Sequence, residues 1–168
     1  MSRTTRANFV LQQGFRGERA PTCADRFSSL LFQPRIVGPL ILVGLVFQPW
    51  WFFAGLAALL WWNTLVPRLN PFDALYNTFL AGRDGRPELP PAPPPRRFAQ
   101  GMAATFASAI AAALLADWTV VAWVVEGLLV VAFAALLFGK FCLGAYIYYL
   151  LRGEGEFARR TAPWAAGD

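Results

Sequence analysis

IVGPLILVGLVFQPWWFFAGLAALLWWNTLV, residues 36–66, carries no charged side chain. As one helix it would measure about 46 Å, well beyond the ~30 Å hydrocarbon core of a bilayer. Gln48-Pro49-Trp50-Trp51 interrupts it. Proline removes a helical hydrogen bond, and paired tryptophans favour the headgroup level. The stretch therefore predicts two helices, 36–48 and 50–66, forming a first transmembrane hairpin. The first helix is short for a span, so it either thins the bilayer or borrows residues from the segment before it.

Outward from this run, the pattern repeats. Between Arg97 and Lys140 only Asp117 and Glu126 are charged. Residues 98–116 and 119–138 predict two more spans joined by a tight turn at Asp117-Trp118. Across the 168 residues 57% are hydrophobic and 15% charged, against about a quarter charged in soluble domains. The seven tryptophans gather at segment ends, as aromatic belts do.

The flanks are polar. Residues 1–35 form an arginine-bearing N-terminal arm with an apolar cluster at Phe9, Val10 and Phe15. Thr22 and Asp25 are spaced as a capping box ahead of Phe27, Leu30 and Leu31, predicting a short surface helix over 22–33. No apolar h-region or small-residue cleavage site marks a signal peptide, so the first span is expected to act as its own insertion signal. In the loop 67–97, Pro67-Arg68-Leu69-Asn70-Pro71 stops a helix. Phe72, Leu75, Tyr76 and Phe79 then follow helical spacing, predicting an amphipathic surface helix. Five prolines between 90 and 95 predict an extended polyproline segment. An apolar helical extension is expected over 141–151, making 98–151 the second hairpin with its continuation. The tail 152–168 is expected to be charged and mobile.

All 15 basic residues lie in the arm, the middle loop, or from Lys140 onward, and the predicted turns near 48–51 and 116–118 have none. Basic flanks stay cytoplasmic. The expectation is an all-α membrane protein of four transmembrane helices in two hairpins, plus short amphipathic surface helices. Both termini are placed in the cytoplasm of a bacterial inner membrane. The net charge of +5 is read as topology, with no nucleic-acid partner.

Four segments carry a family likeness: Asn8 to Phe15, Phe32 to Gly38, Asn70-Pro71-Phe72, and Gly139 to Gly144. Together they resemble the bacterial integral membrane family catalogued as domain of unknown function 4395, over roughly residues 8–152. The resemblance implies two helical hairpins and no established activity. The association of some members with thioredoxin-like or sulfurtransferase-like proteins implies thiol or sulfur handling. This chain has Ala145 where other members carry a second cysteine.

Candidate chemistry is sparse. Cys142 follows Lys140, whose ammonium would lower a thiol's pKa, and Cys23 starts the predicted N-terminal helix, with the same effect. They are candidate redox or sulfur thiols. Glu126 is a candidate intramembrane acid, costly at that depth and functional by default. It is expected to face protein on a surface with Ala122, Leu129 and Phe133, opposite Trp123, Val130 and Leu137. Gly101, Ala104, Ser108, Ala112 and Gly127 are expected to let helices approach closely. With no histidine, no metal or cofactor is expected, nor any Walker motif or dinucleotide fingerprint. The sequence thus points to a non-enzymatic accessory or scaffold subunit in membrane lipid, with a protein partner or as a homo-oligomer. Thiol handling through Cys142 and Cys23, or proton-coupled transport through Glu126, are the alternatives.

Overall fold

The computed structural model describes residues 3–16, 26–82 and 87–167. Their regular elements are all helices, with no strand among them. Helix α1 is Arg3–Gln12. Helix α2 spans Arg26–Phe47, α3 Trp50–Leu65, α4 Pro71–Phe79 and α5 Pro94–Leu115. Thr119–Leu137 forms α6, Leu143–Leu151 α7 and Gly155–Thr161 α8. Three helices, α2, α5 and α6, are long and apolar enough to cross a membrane. At 16 residues, or about 24 Å, α3 falls short of that length.

The separate surface helix and short first span are one element, α2. The regular helix over Phe32–Phe47 continues back to Arg26. Leu31 keeps right-handed helical angles, and Pro34 removes only one amide from the ladder. The first long helix thus takes its length from the preceding segment. It ends where the sequence indicates: Gln48 adopts a left-handed conformation, its N–H bonding to the Gly44 carbonyl, and Pro49 precedes α3. The predicted cap at Thr22 and Asp25 lies outside the described residues.

At the other junctions the expectations shift by a few residues. Helix α5 starts at Pro94, inside the expected polyproline segment, because proline fits the first helical turn without losing a bond. The last apolar helix begins at Leu143 rather than Phe141; Lys140, at φ 54°, turns the chain before it.

The core is built around α5. Its face Ala104, Ala107, Ile110 and Ala111 packs on Phe53, Leu56, Ala57 and Leu60 of α3, and Val37, Ile41 and Leu129 join the same cluster. Of the small residues expected at contacts, Gly101 places its Cα hydrogen toward Thr64, where an added Cβ would lie 3.3 Å from Cγ2. Ala104 is fully buried. Ser108 accepts a hydrogen bond from the Trp61 indole at 3.2 Å. Two of these positions make no such contact with the other described helices of the chain. Ala112 is exposed, because the buried stripe follows 104, 107 and 111, not a strict four-residue repeat. Gly127 meets no other helix among the described residues, since a Cβ there would find nothing within 4 Å.

A second core closes one end. Phe9, Val10 and Phe15 of the arm are buried with Phe27, Leu30, Leu31, Tyr76 and Leu89. Phe72 and Tyr76 of α4 face inward, whereas Leu75 and Phe79 are exposed. The proline segment is held in place: Asn77 exchanges two hydrogen bonds with the backbone of Leu89. Gly14, at φ 94°, packs where a Cβ would come within 2.9 Å of Pro93 and Pro95. The tail is also ordered, contrary to the mobile segment expected. Its helix α8 buries Ala158 and Thr161, and Gln12 donates to the Thr161 carbonyl at 2.7 Å.

Candidate functional site

The closed end carries a buried polar floor. Asn70 caps α4, its side-chain oxygen accepting from the Phe72 and Asp73 amides. Pro71 fills the first helical position. This places Asp73 in the first turn, where a carboxylate is favoured. Across from it, Pro94 and Pro95 start α5 and set Arg96 in that helix's first turn. Nη1 and Nη2 of Arg96 donate to the two carboxylate oxygens of Asp73 at 3.1 and 2.7 Å. Both side chains are less than a tenth exposed. The planar fork matches the carboxylate, which makes such bidentate pairs strong and directional.

Gln33 of α2 and Gln100 of α5 extend the floor. Gln33 Oε1 accepts from Arg96 Nη2 at 3.4 Å and from Gln100 Nε2 at 2.9 Å. Arginine can only donate, so Gln33 must present its oxygen. Gln100 must then present its nitrogen to that oxygen, and its own Oε1 is turned elsewhere. That atom is buried and has no hydrogen-bond partner among the described residues.

Cys142 borders the same space. Its amide donates to Gln12 Oε1 at 3.1 Å. The residue is 5% exposed, and burial pushes its thiol pKa up, against the smaller effect of hydrogen bonds from the Ala145 and Gly144 backbone and the Gln13 side chain. The expected activation by Lys140 is therefore reversed. Lys140 donates to the Leu137 carbonyl and lies over the Phe27 ring. Its own pKa is lowered by burial and then by Arg35. Cys23, the other candidate thiol, lies outside the described residues.

Above the floor is a cavity of about 250 Å³. Gln13, Gln33, Arg96, Gln100 and Cys142 line its base, and Val37, Leu60, Met102, Phe106, Leu129 and Phe133 its walls. Leu128 and Val131, also in the lining, are more than half exposed on α6. The mouth therefore opens sideways at the apolar surface of that helix.

Glu126 is separate from this cavity. It is fully buried beside Ala122 and Leu129, the face expected to meet protein; of the three residues expected opposite, Trp123 points outward, but Val130 and Leu137 pack against the two cores. Its partner comes from the turn after α2, not from α5: Gln48 Nε2 donates to Glu126 Oε2 at 2.6 Å and to the Leu45 carbonyl at 2.9 Å. The other carboxylate oxygen has no partner among the described residues.

Residue types had not singled out Arg96, Asp73, Gln33, Gln100 or Gln13. Arg96 reads in sequence as one of the basic flanks that set topology. The available signal was positional: Asp73 stands three residues after a capping asparagine, and Arg96 and Gln100 are one helical turn apart. Gln13, Gln33, Asn70 and Cys142 also fall in the four segments that carry the family likeness, and the fold draws these segments together.

These features define an all-helical protein with membrane-type apolar helices and a polar-based cavity at one end. The chain belongs to the family described as domain of unknown function (DUF4395), which matches residues 29–152. No curated protein and no solved structure matches it.

Proposed function

We propose that the chain is a non-catalytic polytopic protein of the bacterial inner membrane, an accessory or scaffold subunit packing against a larger membrane complex. In this reading α3 is a fourth span, giving two hairpins with both termini in the cytoplasm. Exposed tryptophans support it: Trp50 and Trp51 stand at one end of α3, Trp61 and Trp62 at the other, as interfacial anchors do. A 16-residue span is accommodated by local thinning of the bilayer. The one-sided distribution of basic residues supports the orientation.

The observation that carries the accessory role is the pair of outward-facing glycines, Gly55 on α3 and Gly127 on α6. Among the described residues, neither has any atom outside its own helical backbone within 4 Å of where a Cβ would stand. Inside a helix, glycine costs about 1 kcal/mol relative to alanine. On an apolar face, small residues admit the backbone of another helix. The test is to replace each with leucine and compare complexes extracted in mild detergent by native electrophoresis and cross-linking. The wild-type chain should migrate within a larger assembly, and Gly55→Leu or Gly127→Leu should release it as a folded monomer. A monomeric wild-type chain, or leucine variants that stay assembled, would overturn the reading.

The thiol and transport alternatives have less support. Cys142 is shielded with its pKa pushed up, and Glu126 is enclosed with one amide partner.

A further inference from the structure

The cavity floor has one unmet requirement. Gln100 is 7% exposed, lines the cavity, and holds a carbonyl oxygen without a partner among the described residues. The Arg96–Gln33–Gln100 chain fixes which way this amide points, so the free atom is an acceptor. A buried acceptor left empty is costly, and a ligand hydroxyl or N–H satisfies it. Asp73 already neutralises Arg96 through both oxygens, so the floor offers no uncompensated charge to an anion. The walls are apolar, and the mouth opens on α6 at Leu128 and Val131, where the proposed membrane placement puts lipid. A cavity of about 250 Å³ exceeds the ~150 Å³ that accommodates benzene in a protein core. It holds a ring or several methylenes, not a whole lipid.

We propose that this cavity binds the head of an uncharged, hydroxyl-bearing amphiphile that enters sideways from the bilayer, its hydroxyl donating to Gln100 Oε1. The apolar chain leaves between Leu128 and Val131. Two membrane sources share this chemistry, a diacylglycerol and an isoprenoid quinol. The inference rests on the membrane placement given above, but not on the accessory role, whose glycines lie outside the cavity lining.

The test uses the full chain carrying Cys23→Ser in phosphatidylcholine nanodiscs, so that Cys142 is the one thiol. The probes are 1-decanol, decyl methyl ether and decanoate. The readouts are the rate at which N-ethylmaleimide alkylates Cys142 at the cavity floor, and the thermal midpoint. Decanol at ten times its Kd should slow alkylation about tenfold and raise the midpoint. The ether accepts but cannot donate, and should do neither at equal concentration. Val131→Trp closes the mouth without touching the floor and should abolish the decanol effect while leaving the unliganded midpoint unchanged. Gln100→Met should erase the preference for decanol over the ether. Dioctanoylglycerol and a short-chain ubiquinol, compared in the same assay, assign the source; the oxidised quinone lacks the donor and should bind less well than the quinol. Equal effects of ether and decanol, or a stronger effect of decanoate, would overturn the proposal. So would incorporation into nanodiscs with no response to decanol. Failure to incorporate would overturn the membrane placement and this inference together.

Discussion

Single side chains set the energetics of both polar sites. Arg96 and Asp73 are buried as a pair, and losing either member strands a charge. Asp73→Leu is expected to destabilise by about 3–5 kcal/mol, read as a fall in the thermal midpoint in detergent. The double variant Arg96→Met with Asp73→Leu should recover much of that loss, because it removes both charges. At Glu126, Gln48→Leu removes the amide that donates to the carboxylate and should cost about 1–3 kcal/mol; Glu126→Gln should be milder. The Cys142 thiol adds a pH dependence with a definite sign. Its folded pKa lies above its unfolded one, so the stability it contributes is complete below the ordinary thiol range. That stability declines as pH rises through the folded value. Maleimide should accordingly label Cys142 several-fold more slowly in the folded chain than in sodium dodecyl sulfate, at neutral pH. At this scale the sequence was half legible. Glu126 could be read as an acid needing a protein partner, because depth alone makes it costly. The Arg96 pair could not, because whether an arginine faces water or Asp73 depends on where a distant helix begins.

Elements were more legible where a chemical punctuation mark decides them. Gln48-Pro49 and Asp117-Trp118 end helices because their backbones leave the helical region or lack an amide. The start of α2 was obscured because residues 26–35 are polar enough to read as surface, yet their inward side carries Phe27, Leu30 and Leu31. The polyproline segment was misread at its end for a related reason: two prolines that forbid a helix interior are well suited to its first turn. Glycine substitutions test how tightly these elements cross. At Gly144 an added Cβ would fall 2.6 Å from the Ala99 Cα. Backbone cannot yield as a side-chain tip can, so Gly144→Ala should force α5 and α7 apart and cost about 1–3 kcal/mol. In the chain isolated from any partner, Gly55→Ala fills open space and should be neutral or stabilising by up to about 1 kcal/mol. Thermal denaturation of the two variants side by side checks the contrast.

For the whole molecule, the decisive experiment is topological. In a background of Cys23→Ser and Cys142→Ala, a cysteine at Gln48 or at Asp117 should react with an impermeant maleimide from the periplasm, and one at Arg86 should not. Reaction at 86 from outside would remove the fourth span. The apolar helices are plain in the sequence, because a water-facing surface does not go without charge over so many consecutive residues. The closed end is concealed there, because the arm meets the proline segment at Pro93 and the tail at Thr161, contacts far apart along the chain.

That interlock constrains the order in which the protein is made. Gln12 leaves the ribosome 149 residues ahead of its partner Thr161; their bond, and the one that Gln12 accepts from the Cys142 amide, must wait for the chain between them. Until Cys142 and Thr161 are made, the N-terminal arm lacks the surface it settles on, and in the proposed membrane placement the apolar helices insert before the base that supports the cavity exists. Under the proposed placement, assembly runs from the bilayer toward the cytoplasm, and the polar floor is complete only once Cys142 has been made. A nascent chain stalled near Arg152 is expected to be inserted but to expose its arm to protease.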